Sequence, residues 1–186
     1  MYPIHLHTER HYPDIVCQRL SQGKQLVEVI LLKPELLHDV EADIHRIERM
    51  RKIDEAPLID NESDYYDIAR DIDNALGEVV SRCAAYLLLP SPFVHRISTD
   101  HANDWEEKSI YMALPYDWPP HNIDTIRNTI HEYIVKSVEL EQLTMLLPDD
   151  RYLPILSAKK EELYSKLNAL INERLGVPDL IQTPFG

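Results

Sequence analysis

His38, Glu41, His45 and Glu48 are spaced so that a helix would carry all four on one face. Imidazoles and carboxylates on neighbouring turns are the ligand types of a zinc or di-metal site. The four do not fall into the H-E-x-x-H or E-x-x-H spacing, and Arg46 and Arg49 lie close by. Their face also flanks an apolar stripe. A solvated shoulder of ion pairs is therefore expected, with no bound metal. A metal-dependent enzyme using His38, Glu41 and His45 is the alternative.

Other chemistry-bearing patterns are weaker. His5 and His7 would share one face of a strand, but barrel hydrolases that use such a pair need more chain than this. Asp60, Glu62, Asp64 and Asp71 match positions 1, 3, 5 and 12 of a calcium loop, yet Tyr65 stands at the sixth, where glycine is needed. His131-Glu132 has no second histidine four residues on. There is no G-x-S-x-G elbow and no C-x-x-C pair. Only four glycines occur, at 23, 77, 176 and 186, so no glycine loop can cradle a phosphate. No catalytic residue, cofactor or metal is expected, and the chain is read as not an enzyme.

The net charge of −13 argues against nonspecific nucleic-acid binding, which needs cations to displace counterions from phosphates. It argues equally against docking on anionic lipid. It suits a basic protein partner, and residues 54–73 concentrate eight carboxylates against the single Arg70. An acidic module for a basic partner is thus a second alternative. Hydrophobic residues make up 44% of the chain, enough for one core. Cys17 and Cys83 are expected to be free thiols. The longest apolar run, Cys83 to Leu89, is too short for a membrane span, and the first residues do not read as a leader. A cytoplasmic, or virion-associated, location is expected.

The elements that would position these residues are mostly helical. The spacing of Val16, Leu20, Val27 and Leu31 predicts a helix over about 13–32, interrupted by Gly23. Leu37, Val40, Ile44 and Ile47 predict a second, ending near Lys52. Ser63 would cap a third, running through Tyr65, Ile68, Ile72, Leu76, Val79, Cys83 and Tyr86 until Pro90 and Pro92. Residues 93–98 and 109–114 read as strands joined by a polar loop over 99–108. Asn122 would cap a helix to about 147. Pro148-Asp149-Asp150 would then fold a last helix back as a hairpin, stopping at Gly176-Val177-Pro178. The expected fold is mainly α: a single domain holding a bundle of four to five helices, with a short β-hairpin before the C-terminal helical hairpin. Its parts are an arm over 1–12, helices over 13–92, the hairpin and a rigid exit over 93–118, the helical hairpin over 119–177 and a loose tail over 178–186.

Trp105, Tyr111, Tyr116 and Trp118 cluster around that hairpin. Such rings are the usual anchors of protein interfaces, so the four form the candidate interface, with packing against the helices as the competing role. From Ser109 to Gly176 runs a strand, the Pro119-Pro120 exit, a helix holding His131-Glu132-Tyr133-Ile134-Val135, a Pro-Asp joint and a last helix. This order resembles a group of uncharacterised prophage-encoded proteins of gut bacteria, found among genes for virion parts. The likeness covers about the C-terminal third and part of the helix over 64–89, and no motif in it carries chemistry. It implies a structural role in a phage neck or tail. A non-enzymatic interaction or assembly protein, homo- or hetero-oligomeric, is the expected function, with neither nucleic acid nor membrane as partner.

Overall fold

The computed structural model describes residues 14–20, 23–51, 62–97 and 105–175. In chain order these form α1 (Asp14–Arg19), β1 (Lys24–Leu32), α2 (Lys33–Arg51), α3 (Glu62–Arg82), β2 (Phe93–Ile97), β3 (Trp105–Pro115), α4 (Ile123–Leu146) and α5 (Leu153–Asn172), with two short 3-10 turns. The architecture is mainly α with one small antiparallel sheet. No helix among the described residues is long and apolar enough to cross a membrane.

The helix expected over 13–32 is corrected. It is a six-residue helix, then a nine-residue strand. Gly23, at φ 81°, stands in the left-handed region just ahead of β1. That conformation costs an ordinary residue about 1–2 kcal/mol, and it redirects the chain. Beyond it Val27, Val29 and Leu31 are buried at every second position, which is strand periodicity. Val27 and Leu31 alone also satisfy a loose helical count.

The sheet order is β1-β3-β2, with β3 antiparallel to both neighbours. Where a two-stranded hairpin was expected, the sheet has three strands, with β1 pairing with β3 from Lys24↔Pro115 to Leu32↔Glu107. β3 also begins earlier than expected, at Trp105. Against β2 its register slips twice: Phe93 faces Ser109 and Val94 faces Lys108, but Arg96 faces Glu107 and Ile97 faces Trp105. His95 is therefore an extra residue on β2, and Glu106 an extra one on β3. Such bulges turn side chains to new directions.

One sheet face carries Val27, Val29, Leu31, Ile110, Met112 and Leu114 into the main core. Leu36, Val40 and Ile44 of α2, Ile68, Ile72, Leu76 and Val79 of α3, Ile126, Ile130, Ile134 and Val138 of α4, and Leu163, Leu167 and Ile171 of α5 complete it. Each such side chain contributes roughly 1.5–3 kcal/mol of burial. On the other face, Val16 of α1 packs on Tyr111 and Ala113, with Leu20 and Leu26 beside them. Leu143 of α4 meets Leu156 of α5, so α5 returns alongside α4 as expected from the short joint.

Several helix ends differ from expectation. α3 stops at Arg82, before the prolines, because Ala84–Tyr86 tightens into a 3-10 turn. Ser63 lies inside α3. Asn122 precedes α4 but makes no capping bond; its amide donates to Glu173 instead, tying the start of α4 to the end of α5. Cys83 is a buried free thiol, and burial pushes it up to about 11. The arm, the loop over 52–61 and the tail from Gly176 lie outside the described residues, as does the side chain of Cys17.

Candidate interaction surface at the sheet edge

β2 is an outer strand of the sheet, and all five of its residues are exposed. Strand formation follows from its β-branched and aromatic content after Pro90 and Pro92. Its apolar side chains are not withdrawn: Phe93 is 40% exposed and Ile97 58%. An edge strand leaves a row of main-chain donors and acceptors for another chain to pair with.

A polar clamp fastens β2 to the rest of the sheet. The bulge at His95 aims its ring at Ser109, with Nε2 2.7 Å from the hydroxyl oxygen. Ser109 Oγ donates to Glu28 Oε1 of β1 at 2.5 Å. Because the hydroxyl's one proton goes to Glu28, His95 Nε2 must carry the hydrogen that bridges to Ser109. The same nitrogen is 3.2 Å from Tyr111 Oη and 3.3 Å from Glu28 Oε1. Phe93 stacks edge-on against His95, with ring centres 5.2 Å apart. Three strands are thereby linked through four polar side chains.

This cluster holds the parts of a nucleophile and base but not their wiring. In a catalytic triad the carboxylate orients the far nitrogen of the imidazole. Here Glu28 sits on the serine, and Ser109 is fully buried.

Three of the four rings of the candidate interface take the competing role of packing against the rest of the chain. Trp105, Tyr111 and Trp118 are buried. The bulge at Glu106 turns Trp105 to the helix side, where Nε1 donates to Asp73 of α3. Trp118 donates to the Leu170 carbonyl of α5 at 2.8 Å. Tyr116 alone of the four projects outward, at 80% exposed.

The histidine face of α2 makes its contacts within the chain. His45 Nδ1 is 2.6 Å from Glu48, and its Nε2 is 3.7 Å from Glu41, which accepts from Tyr65 at 2.9 Å. That hydrogen bond raises the Tyr65 hydroxyl above its ordinary value. His38 is exposed. No group of three or more His, Cys, Asp or Glu among the described residues could hold a metal. In the acidic stretch, Asp67 pairs with Arg70 at 2.9 Å, Asp71 is buried and accepts from Gln142, and Asp73 accepts from Lys33, Lys108 and Trp105. His5, His7 and Asp60 lie outside the described residues.

Between α2, α4 and α5 lies a cleft of about 610 Å³, lined among others by Asp39, Arg46, His131, Lys136 and Tyr152. His131 Nε2 is 2.8 Å from Asp39, and Lys136 donates to both Asp43 and Glu139. Glu139 is wholly buried, and among the described residues its Oε1 has no partner. Burial pushes its carboxyl above the usual range despite Lys136. The cleft's cations are thus matched by carboxylates of the chain itself. Sequence reading missed both this network and the His95 clamp, because their members lie far apart in the chain. Reading Lys24–Leu32 as a strand was the one signal that would have brought Glu28 near β3.

No protein-family model matches the chain, and no curated protein or solved structure does.

Proposed function

We propose that this chain is a non-enzymatic assembly subunit that docks other protein through the β2 edge. The observation that carries the reading is the exposure of all five β2 residues, three of them apolar, on an outer strand. Main-chain pairing along such an edge gives affinity, and alternate side chains give selectivity. The clamp of His95, Ser109 and Glu28 supports this role, since it holds the edge rigid before any partner arrives. The bulge at His95 makes the edge irregular, which favours a limited contact over open-ended sheet growth. The resemblance to prophage-encoded proteins points the same way, toward a part in building a virion neck or tail.

Replacing the gene's product in its own cell tests this reading. The edge variant Ile97→Lys should behave as a deletion, while His38→Ala/His45→Ala should behave as wild type. The reverse pattern would favour the metal-dependent alternative.

A further inference from the structure

We infer that the partner at the β2 edge is an extended segment of another protein, which lays apolar side chains into a groove between β2 and α3. The inference rests on the proposed docking role of β2.

Register sets the faces of β2. Val94 lies opposite Lys108 and Ile97 opposite Trp105, so both take the helix side of the sheet, while Phe93, opposite Ser109, takes the outer side. Val94 and Ile97 are exposed. On the helix side lies a groove of about 460 Å³, lined among others by Leu76, Gly77, Val80, Pro90 and Pro92. From Asp73 to Ser81 it follows α3 for ~12 Å, the length of about four strand residues. A strand added to β2 turns every second side chain to this side, so two of them reach the groove.

The lining decides what enters. Its charged pair, Asp73 and Lys108, is already joined at 3.1 Å, and the rest is apolar or carries only a serine hydroxyl. An apolar side chain loses least on entering such a site. Beyond the groove the chain carries −13, so basic residues beside the apolar ones are drawn in and acidic ones repelled.

Gly77 keeps the groove open. It is exposed in the middle of α3, where glycine is a poor helix former, and its φ is not positive. A Cβ there would meet no atom within 4 Å, so packing inside the chain does not require glycine. The space it leaves is available to a partner's side chain.

The probe is a displayed library of random peptides. Selection on the wild type should enrich peptides with apolar residues at alternate positions and basic residues beside them. Bound peptide should slow amide exchange over Phe93–Ile97. Gly77→Leu fills the groove from the helix and should raise the melting temperature by about 2 °C, because leucine is the better helix former. It should also weaken the selected peptides at least about tenfold, the factor for one aliphatic side chain kept out of a pocket. No enrichment over the Gly77→Leu protein, or peptides that bind that variant as tightly as wild type, would overturn the inference. Apolar residues enriched at spacings of 3 and 4 would mean a helix in the groove and overturn it too. If Gly77→Leu still enters a larger native complex that Ile97→Lys cannot enter, the docking role of β2 stands and only the groove falls. An Ile97→Lys chain that enters that complex takes both down together.

Discussion

Trp105 Nε1 donates to Asp73 Oδ1 at 2.6 Å, across 32 residues of chain. Lys108 reaches the same oxygen at 3.1 Å and lies 4.4 Å from the centre of the Trp105 ring. Lys33 contacts the other carboxylate oxygen at 3.3 Å. One aspartate thus ties the start of β3 to α3 and to the first residue of α2. The bulge at Glu106 makes this possible, since it puts Trp105 and Lys108 on the same side of the strand.

Asp73 should govern part of the acid limb of stability. Burial alone would raise its carboxyl, but the bonds from Trp105 and Lys108 and the charges of Lys33 and Lys108 outweigh it and hold it below the usual range. A lowered carboxyl stabilises fully above the unfolded value of ~3.9 and stops doing so as pH falls through the folded value. Asp73→Asn should cost about 1 kcal/mol at pH 7, a modest figure because the side chain is 38% exposed. Its melting temperature should fall less steeply than wild type below about pH 4. Parallel acid limbs would contradict this.

Glu139 works in the opposite sense. Its raised carboxyl means that ionising it costs stability, a cost absent below the unfolded value of ~4.3 and complete above the folded one. Stability due to this group therefore falls as pH rises, and Glu139→Gln should remove that slope. Lys136→Met strands the buried Glu139, while Asp43 keeps Arg46 at 2.9 Å, and should cost about 3–5 kcal/mol in chemical denaturation, far more than Glu139→Gln. Equal losses would refute the assigned network.

Gly23→Ala should destabilise by about 1–2 kcal/mol through backbone strain alone. An added Cβ meets no atom within 4 Å, so no clash contributes. A neutral result would show that the turn into β1 relaxes freely.

Ser109→Ala removes the bridge between Glu28 and His95. Its expected cost is about 1–3 kcal/mol, since two polar groups lose a buried partner. Amide exchange should quicken most over Phe93–Ile97, while the β1/β3 ladder stays protected. Uniform acceleration would mean that the clamp does not act on β2 in particular.

The long helices were legible because their apolar residues recur at 3 and 4 with little competition, as in Leu37, Val40, Ile44 and Ile47. β1 was not, because Val27 and Leu31 fit both periods and only the left-handed Gly23 decides between them. The fate of Trp105 turned on a bulge. One extra residue, Glu106, reverses which face Trp105 takes, and no local pattern announces it. The edge strand itself was readable, whereas the clamp that fixes it joins positions 28, 95 and 109.

The most direct test of the docking role is the native size of the complex in extract from the source cell, measured for wild type and for Ile97→Lys. Wild type should run in a particle well above 21.7 kDa, and the edge variant should run at the monomer mass with its fold intact by circular dichroism. Wild type at the monomer mass, or an edge variant that stays in the particle, would contradict it.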